Sequence, residues 1–325
     1  MTTTYKPLTW PLFLELIRLP AKAASLLPFL FGVSYAAVMF GQLDWVNTLV
    51  YFVGQMSIAL FVTGFNNVQD FYKAQDAHYR ATQNILGREH LDPHRILALM
   101  LGFLAIACVS GVILVWRTNL ALLLIGGAGI FVAVFYTFGP VPLSRIPSGE
   151  VLAGLCEGFG TIFIAVFVNV VPRPVDLSLA GRAFALSVDV STVLRLFVVA
   201  LPIVLLDAAT MFADNICDLE QDIRNQRFTL PYYLGRDRAL RVYPWLPALA
   251  YLSIGVGVLL RLLPWPVILV WGLWPLAHHN THRFLQHPSK QATFITAIHT
   301  MLVTFGAEVA VLIGLAGLAH WVKFW

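Results

Sequence analysis

Two short acidic stretches in this sequence carry the residue types of metal-assisted chemistry. "NNVQDFYKAQD" runs from Asn66 to Asp76, and "DNICDLEQD" runs from Asp214 to Asp222. Asn66 and Asp70 stand at i and i+4; Asp214, Asp218 and Asp222 stand at i, i+4 and i+8. On a helix each set shares one face. Stacked carboxylates repel one another, and more strongly where the dielectric is low, so a compensating cation is expected. Within their own turns the two stretches offer only Lys73, and a divalent metal ion meets the need better. The donors are hard oxygens, from carboxylates and amide carbonyls. No His or Cys joins them at ligand spacing, since Cys217 lies about 100° round the helix from Asp218. That set favours Mg²⁺ or Ca²⁺ over zinc. Mg²⁺ takes one or two carboxylates, keeps several waters and shares the phosphate oxygens of a substrate. Two such stretches facing each other would hold two Mg²⁺ ions with a diphosphate between them. Lys22, Lys73, Arg80, Arg145, Arg224 and Arg227 are the cations expected to neutralise the remaining phosphate charge.

The elements that must position these residues are membrane helices. Of 325 residues, 58% are hydrophobic and only 12% charged, and the mean hydropathy is +0.76. A soluble chain of this size rarely carries so little charge, and repeated long apolar runs mark spans. The expected fold is therefore an all-α polytopic membrane protein, one domain over 1–325 with an interfacial arm at 1–21. Nine spans are expected, at 22–41, 46–66, 95–116, 119–137, 149–171, 192–213, 239–261, 265–283 and 294–320, with the stretches between them read as irregular breaks. Nine crossings divide the basic residues unequally, fifteen of the 21 Lys and Arg falling with the N-terminal arm and the loops after even-numbered spans. The positive-inside rule makes that side cytoplasmic, and both acidic stretches lie on it. "NNVQD" and "DNICD" share an x-N-[V/I]-x-D step four spans apart, the trace of a duplicated unit whose halves would face each other. Three cysteines give no disulfide framework, and no basic–aromatic alternation marks a nucleic-acid surface. Intramembrane acids are functional candidates in their own right. Glu150 and Glu157 share a face of the fifth expected span, and Asp207 lies two turns before Asp214. An ion-coupled transporter is the rival reading; it places the key charges near the midplane rather than at the cytoplasmic end.

At these residues the sequence resembles the UbiA superfamily of intramembrane prenyltransferases, whose two Asp-rich motifs read N-D-x-x-D-x-x-x-D and D-x-x-x-D. The second motif is complete here at Asp214, Asp218 and Asp222, and "RFTLPYYLG" after it is similar to the family's R-T-L-P-x-x-L-G run. In the first, Asn67 stands where an Asp is usual and Ala74 stands at the last acidic position, with Asp76 two residues beyond. That later acid has the spacing of the MenA branch, which prenylates 1,4-dihydroxy-2-naphthoate in menaquinone synthesis. "YTFGPVPLSRIPSGE" and "LELIRLPAKAASLLPFLFG" resemble the same branch, with Lys22 at a branch cation.

The resemblance implies nine transmembrane helices around a cytoplasmic-side active site in the cell membrane. It implies Mg²⁺-dependent transfer of a polyprenyl group from polyprenyl diphosphate to an aromatic acceptor, with membrane lipid around the isoprenoid tail. The residues expected to hold metal are Asn66, Asp70, Asp76, Asp214, Asp218 and Asp222, the five acids being the catalytic set. Lys22, Lys73, Arg80, Arg145 and Arg224 are expected on the diphosphate. Tyr136, Asn67 and Glu150 are expected at the acceptor or shielding the allylic cation. Ring attack at the carboxyl-bearing carbon with loss of CO₂ is the implied chemistry. 4-Hydroxybenzoate, homogentisate, haem, chlorophyllide and a glycerol lipid are the alternative acceptors.

Overall fold

The computed structural model describes residues 5–140, 142–181 and 183–318. Seven helices are long and apolar enough to cross a membrane: α1 Leu19–Phe40, α2 Trp45–Lys73, α3 Pro93–Arg117, α4 Gly149–Asn169, α5 Val190–Cys217, α6 Arg236–Leu259 and α7 Phe294–Leu318. The two other expected spans are helical but fall short. Ala121–Phe135 is apolar but has 15 residues. The region 265–283 is a 3₁₀ segment, Trp265–Leu273, running into the α-helix Trp274–Gln286, whose polar "HHNTHR" turns keep it out of the long apolar set. Residues 319 and 320 of the last expected span lie outside the described residues, as do residues 1–4 of the expected arm, Arg182, Lys323, and Val141 of the "GPVP" stretch.

Local chemistry sets the helix ends. Asp44 and Asp189 cap α2 and α5, accepting from the backbone N–H of Asn47 (2.9 Å) and Thr192 (3.0 Å). Asp92 caps α3 ahead of Pro93 at its first position. Gly41, at φ 65°, stops α1. One expectation fails. The stretch 172–189, read as an irregular break, forms a hairpin of β1 Val175–Ala180 and β2 Ala183–Val188, paired from Val175↔Val188 to Ala180↔Ala183. "VDLSL" and "FALSV" alternate large apolar residues with small or polar ones, and Gly181 begins the two-residue turn at φ 61°. Asn119 anchors it through Asp176 (2.7 Å) and Leu177 N (2.9 Å).

The main core joins α1, α4, α5 and α7 through Phe31, Ile162, Phe167, Val199, Ile203 and Phe305. Its tightest seam is between α4 and α5. Between Gly154 and Gly160 α4 widens to π-helical winding, and Gly154 and Gly158 lie against the backbone of Val204. A second core holds the arm to α2 and α3. Leu16, at the end of the short helix Trp10–Leu16, packs with Phe61, Phe65, Val68, Leu86, Leu91 and Met100. Exposed Val112, Trp116 and Leu259 cover the outer surface, as suits helices solvated by lipid.

Candidate active site

α2 and α5 both end at the same face of the bundle, and each delivers its acidic stretch there. Three connecting segments interlock around them. The backbone N–H of Asp76 donates to Asn225 Oδ1 (3.3 Å), and Gln221 donates to Gln83 Oε1 (3.1 Å). From the segment after Ala121–Phe135, Arg145 reaches both sides, its guanidinium 3.9 Å from Asp70 and donating to the Asn225 carbonyl (3.2 Å). Phe228 N–H in turn donates to the Arg145 carbonyl (3.0 Å). The two acidic stretches, 149 residues apart at that Asp76–Asn225 link, therefore form one site.

The second stretch is the more enclosed. Asp218 ends α5, yet its N–H still bonds Asp214 O (3.0 Å) and its carbonyl accepts from Asp222 N (2.8 Å), which keeps the three acids on one side. Asp222 is 4% exposed. The chain turns back through Gln226 at φ 55° and sets Arg227 Nε 3.6 Å from Asp222 Oδ1. Asp222 Oδ2 is buried without a hydrogen-bond partner among the described residues. Burial pushes the Asp222 carboxyl up to about 7 despite the opposing Arg227 charge. Burial also raises Asp218. Burial alone would lower Arg227, but Asp222 and Asp70 together hold it above its ordinary value. The cation beside Asp214 and Asp218 is one that motif reading did not supply: Lys290 of the segment before α7, hydrogen-bonded to both carboxylates.

The other expected site residues fall into distinct roles. Asn66 and Asp70 are half-buried one turn apart on α2. Asp76 uses Oδ1 to cap the next turn, accepting from His78 N (2.8 Å) and Tyr79 N (3.3 Å). Lys73 donates to the carbonyls of Thr137 (3.0 Å) and Gly139 (3.1 Å), tying α2 to the Arg145 segment. Lys22 donates to Ala59 O (2.9 Å) and to Thr63 Oγ1, facing α2 deeper in the bundle. Arg80 and Arg224 are exposed, and Arg227, half-buried, is the expected cation that reaches Asp222. Glu150, 2% exposed, accepts from Asn215 Nδ2 (2.7 Å) and Leu230 N (3.2 Å). It fastens the second stretch to the "RFTLPYY" turn. Tyr136 is half-buried and lies within electrostatic reach of Arg227, Glu150 and Asp214.

Asn67 donates from Nδ2 to Leu16 O (3.0 Å) and Thr63 O (3.2 Å), clamping the N-terminal arm to α2. A carboxylate cannot donate and would meet the Leu16 carbonyl with its own oxygen. Asn67→Asp is therefore expected to lower activity about tenfold or more rather than restore a metal ligand, and to raise protease cleavage within the arm. Both are read on purified protein.

The donor set fits a hard divalent ion. Among the described residues no three His, Cys, Asp or Glu side chains close around a point. Mg²⁺ needs only one or two carboxylates, with water and phosphate completing its shell. Asp222 Oδ2 is an unused acceptor, and Lys290 already marks a cation position between Asp214 and Asp218.

The family model described as the UbiA prenyltransferase family matches residues 25–306. The 1,4-dihydroxy-2-naphthoate octaprenyltransferase of Bacillus subtilis (strain 168) is 26% identical over 253 residues, covering 77% of this chain and 75% of that protein. The protein of the same name from Mycobacterium tuberculosis is 24% identical over 234 residues, covering 70% and 73%. Among solved structures, a UbiA homologue from Archaeoglobus fulgidus bound to GPP and Mg²⁺ superposes with TM-score 0.59 at 14% identity, over 96% of this chain and 100% of that one. A homologue from Aeropyrum pernix superposes at 0.57 and 16% identity, over 92% and 98%. At these identities the structural likeness is one of fold.

Proposed function

The chain belongs to the UbiA prenyltransferase family, and from that premise we propose that it moves a polyprenyl group from polyprenyl diphosphate to 1,4-dihydroxy-2-naphthoate, giving demethylmenaquinol, the reduced form of demethylmenaquinone. It is a multi-pass membrane prenyltransferase. The observation that carries the reading of the site is the interlocked polar end of the bundle. Asp70 of α2 faces Arg145, Asp222 just past α5 faces Arg227, and Arg145 joins the two by also holding the Asn225 carbonyl. That arrangement matches a diphosphate and its metal in charge and in donor type. The A. fulgidus homologue is described as bound to GPP and Mg²⁺, and the B. subtilis and mycobacterial relatives are named for the naphthoate acceptor.

In this reading Asp70, Asp214, Asp218 and Asp222 hold Mg²⁺, two ions in all, with Asn66 and Asp76 at the margin. When bound, Mg²⁺ supplies positive charge that offsets the charge of the departing diphosphate. Arg145 and Arg227 bind the same leaving group from half-buried positions, where their charge is less screened than in open water. Lys73 keeps the Arg145 segment in register with α2. Tyr136 offers its ring to the allylic cation, and the apolar helix walls exclude water that would quench it. The allylic C–O bond breaks, the ring carbon bearing the carboxylate forms the new C–C bond, and CO₂ leaves. The chain acts as one domain with nine crossings of the cytoplasmic membrane, Ala121–Phe135 and 265–286 supplying two of them, and the acidic end faces the cytoplasm.

The test is an acceptor panel in nanodiscs. 1,4-Dihydroxy-2-naphthoate, 4-hydroxybenzoate and homogentisate each meet a series of polyprenyl diphosphates with Mg²⁺, and products are identified by mass spectrometry. Demethylmenaquinol from the naphthoate, which oxygen in air oxidises to demethylmenaquinone during work-up, is the expected product. Turnover with another acceptor alone would keep prenyl transfer and remove the naphthoate assignment. A pH series follows from Asp222, which sheds its proton only near pH 7. The Mg²⁺ concentration for half-maximal rate is expected to rise as pH falls below about 7 and to level off above it. Asp222→Asn should flatten that dependence.

A further inference from the structure

Lys290 belongs to neither acidic stretch, yet it is the side chain most closely engaged with the second one. Its ammonium donates to the Asp214 carboxylate and to Asp218 Oδ2 (2.7 Å). It also lies 4.9 Å over the Phe294 ring. The segment carrying it is built to hold that position. Ser289 N–H donates to Thr293 Oγ1 (3.0 Å), Thr293 Oγ1 donates to His287 O (2.6 Å), and Phe294 N–H donates to Ser289 O (2.9 Å). A fixed backbone thus delivers a flexible four-carbon stem to the two carboxylates.

On the reading given under Proposed function, those carboxylates are metal ligands, and an ammonium and a divalent ion repel one another and compete for them. We propose that Lys290 is the resident counter-ion of Asp214 and Asp218, that the metal–diphosphate pair displaces it, and that the displaced ammonium then binds the diphosphate. Two carboxylates at the edge of a low-dielectric bundle need a positive partner before substrate arrives. A divalent ion outcompetes a single ammonium for them once a diphosphate adds its own oxygens to the metal. The freed lysine stays tethered within a side chain's length of that diphosphate. Lys290 therefore opposes metal binding to the substrate-free protein and favours substrate binding afterwards, which makes the order of assembly metal with diphosphate rather than metal first.

The experiment is Mn²⁺ binding, read by electron paramagnetic resonance on the full-length protein in nanodiscs, with and without a prenyl diphosphate. It compares wild type, Lys290→Met and Lys290→Arg. Lys290→Met is expected to bind Mn²⁺ roughly five- to tenfold more tightly than wild type without substrate, and to show a KM for prenyl diphosphate raised about tenfold. Lys290→Arg should keep both values within about threefold of wild type. A lysine that served only to hold the fold would leave Mn²⁺ binding unchanged or weaken it on removal, and that result overturns the proposal. Wild type that binds no Mn²⁺ even with prenyl diphosphate overturns the metal reading itself and this inference with it.

Discussion

Asp218→Asn is expected to slow prenyl transfer by about 10²–10³-fold while leaving the protein folded. The substitution keeps shape and removes charge. The backbone bonds at this position, from Asp218 N–H to Asp214 O and from Asp222 N–H to Asp218 O, do not involve the side chain, and Asn is well tolerated at a helix end. What is lost is one of two carboxylates held by Lys290 and a hard anionic donor at the point where α5 turns into the second acidic helix, Leu219–Arg224. The loss falls on charge development in the transition state, so kcat should fall by a larger factor than KM for the acceptor rises. Initial rates with Mg²⁺ varied to saturation, together with the midpoint of thermal unfolding, separate this from misfolding.

The second large effect is on stability. Gly154→Leu is expected to destabilise the bundle by about 1–3 kcal/mol and to abolish turnover. A Cβ at Gly154 would stand 2.5 Å from the Val204 carbonyl oxygen and 3.4 Å from Ala208 Cβ. The first of these is backbone of the facing helix, so no rotamer change relieves it. α4 and α5 would have to separate, and small residues are what permit close helix approach in membranes. Glu150 sits one turn before Gly154 and holds Asn215, so the separation would be felt at the second acidic stretch. Gly126→Leu, at a position with nothing within 4 Å of the added Cβ, is the matched control and should leave the unfolding temperature unchanged. A change of several degrees for Gly154→Leu and none for Gly126→Leu is the expected pattern.

Much of the positioning was legible before any coordinates. Hydropathy locates seven long helices within a few residues, save that α2 runs on to Lys73 past its expected end at 66, because apolar runs near 20 residues have few other uses. The i, i+4, i+8 spacing placed Asp214, Asp218 and Asp222 on one side, because helical period alone decides that. What remained hidden depends on contacts distant in sequence. Lys290 meets Asp214 across 76 residues, and nothing in "HPSKQ" announces it. Arg224 and Arg227 are both legible as cations, but that Arg227 is the one set against Asp222 depends on a left-handed Gln226 folding the chain back, a turn that local motif reading does not see. The motif marks Asn67 as a site residue, but its hold on the Leu16 carbonyl, a partner 51 residues away, is not legible from the motif. The hairpin at 175–188 is hard to read from sequence because its apolar alternation lies between two membrane helices, where polar connection is the usual expectation.

The measurement that tests the central claim most directly is calorimetric binding of a non-reactive prenyl thiolodiphosphate in nanodiscs, with Mg²⁺ and then with EDTA. Wild type is compared with the double variant Asp214→Asn, Asp218→Asn. The account expects binding that requires Mg²⁺ and falls at least about tenfold in the variant. Equal affinity with EDTA, or in the variant, would contradict it.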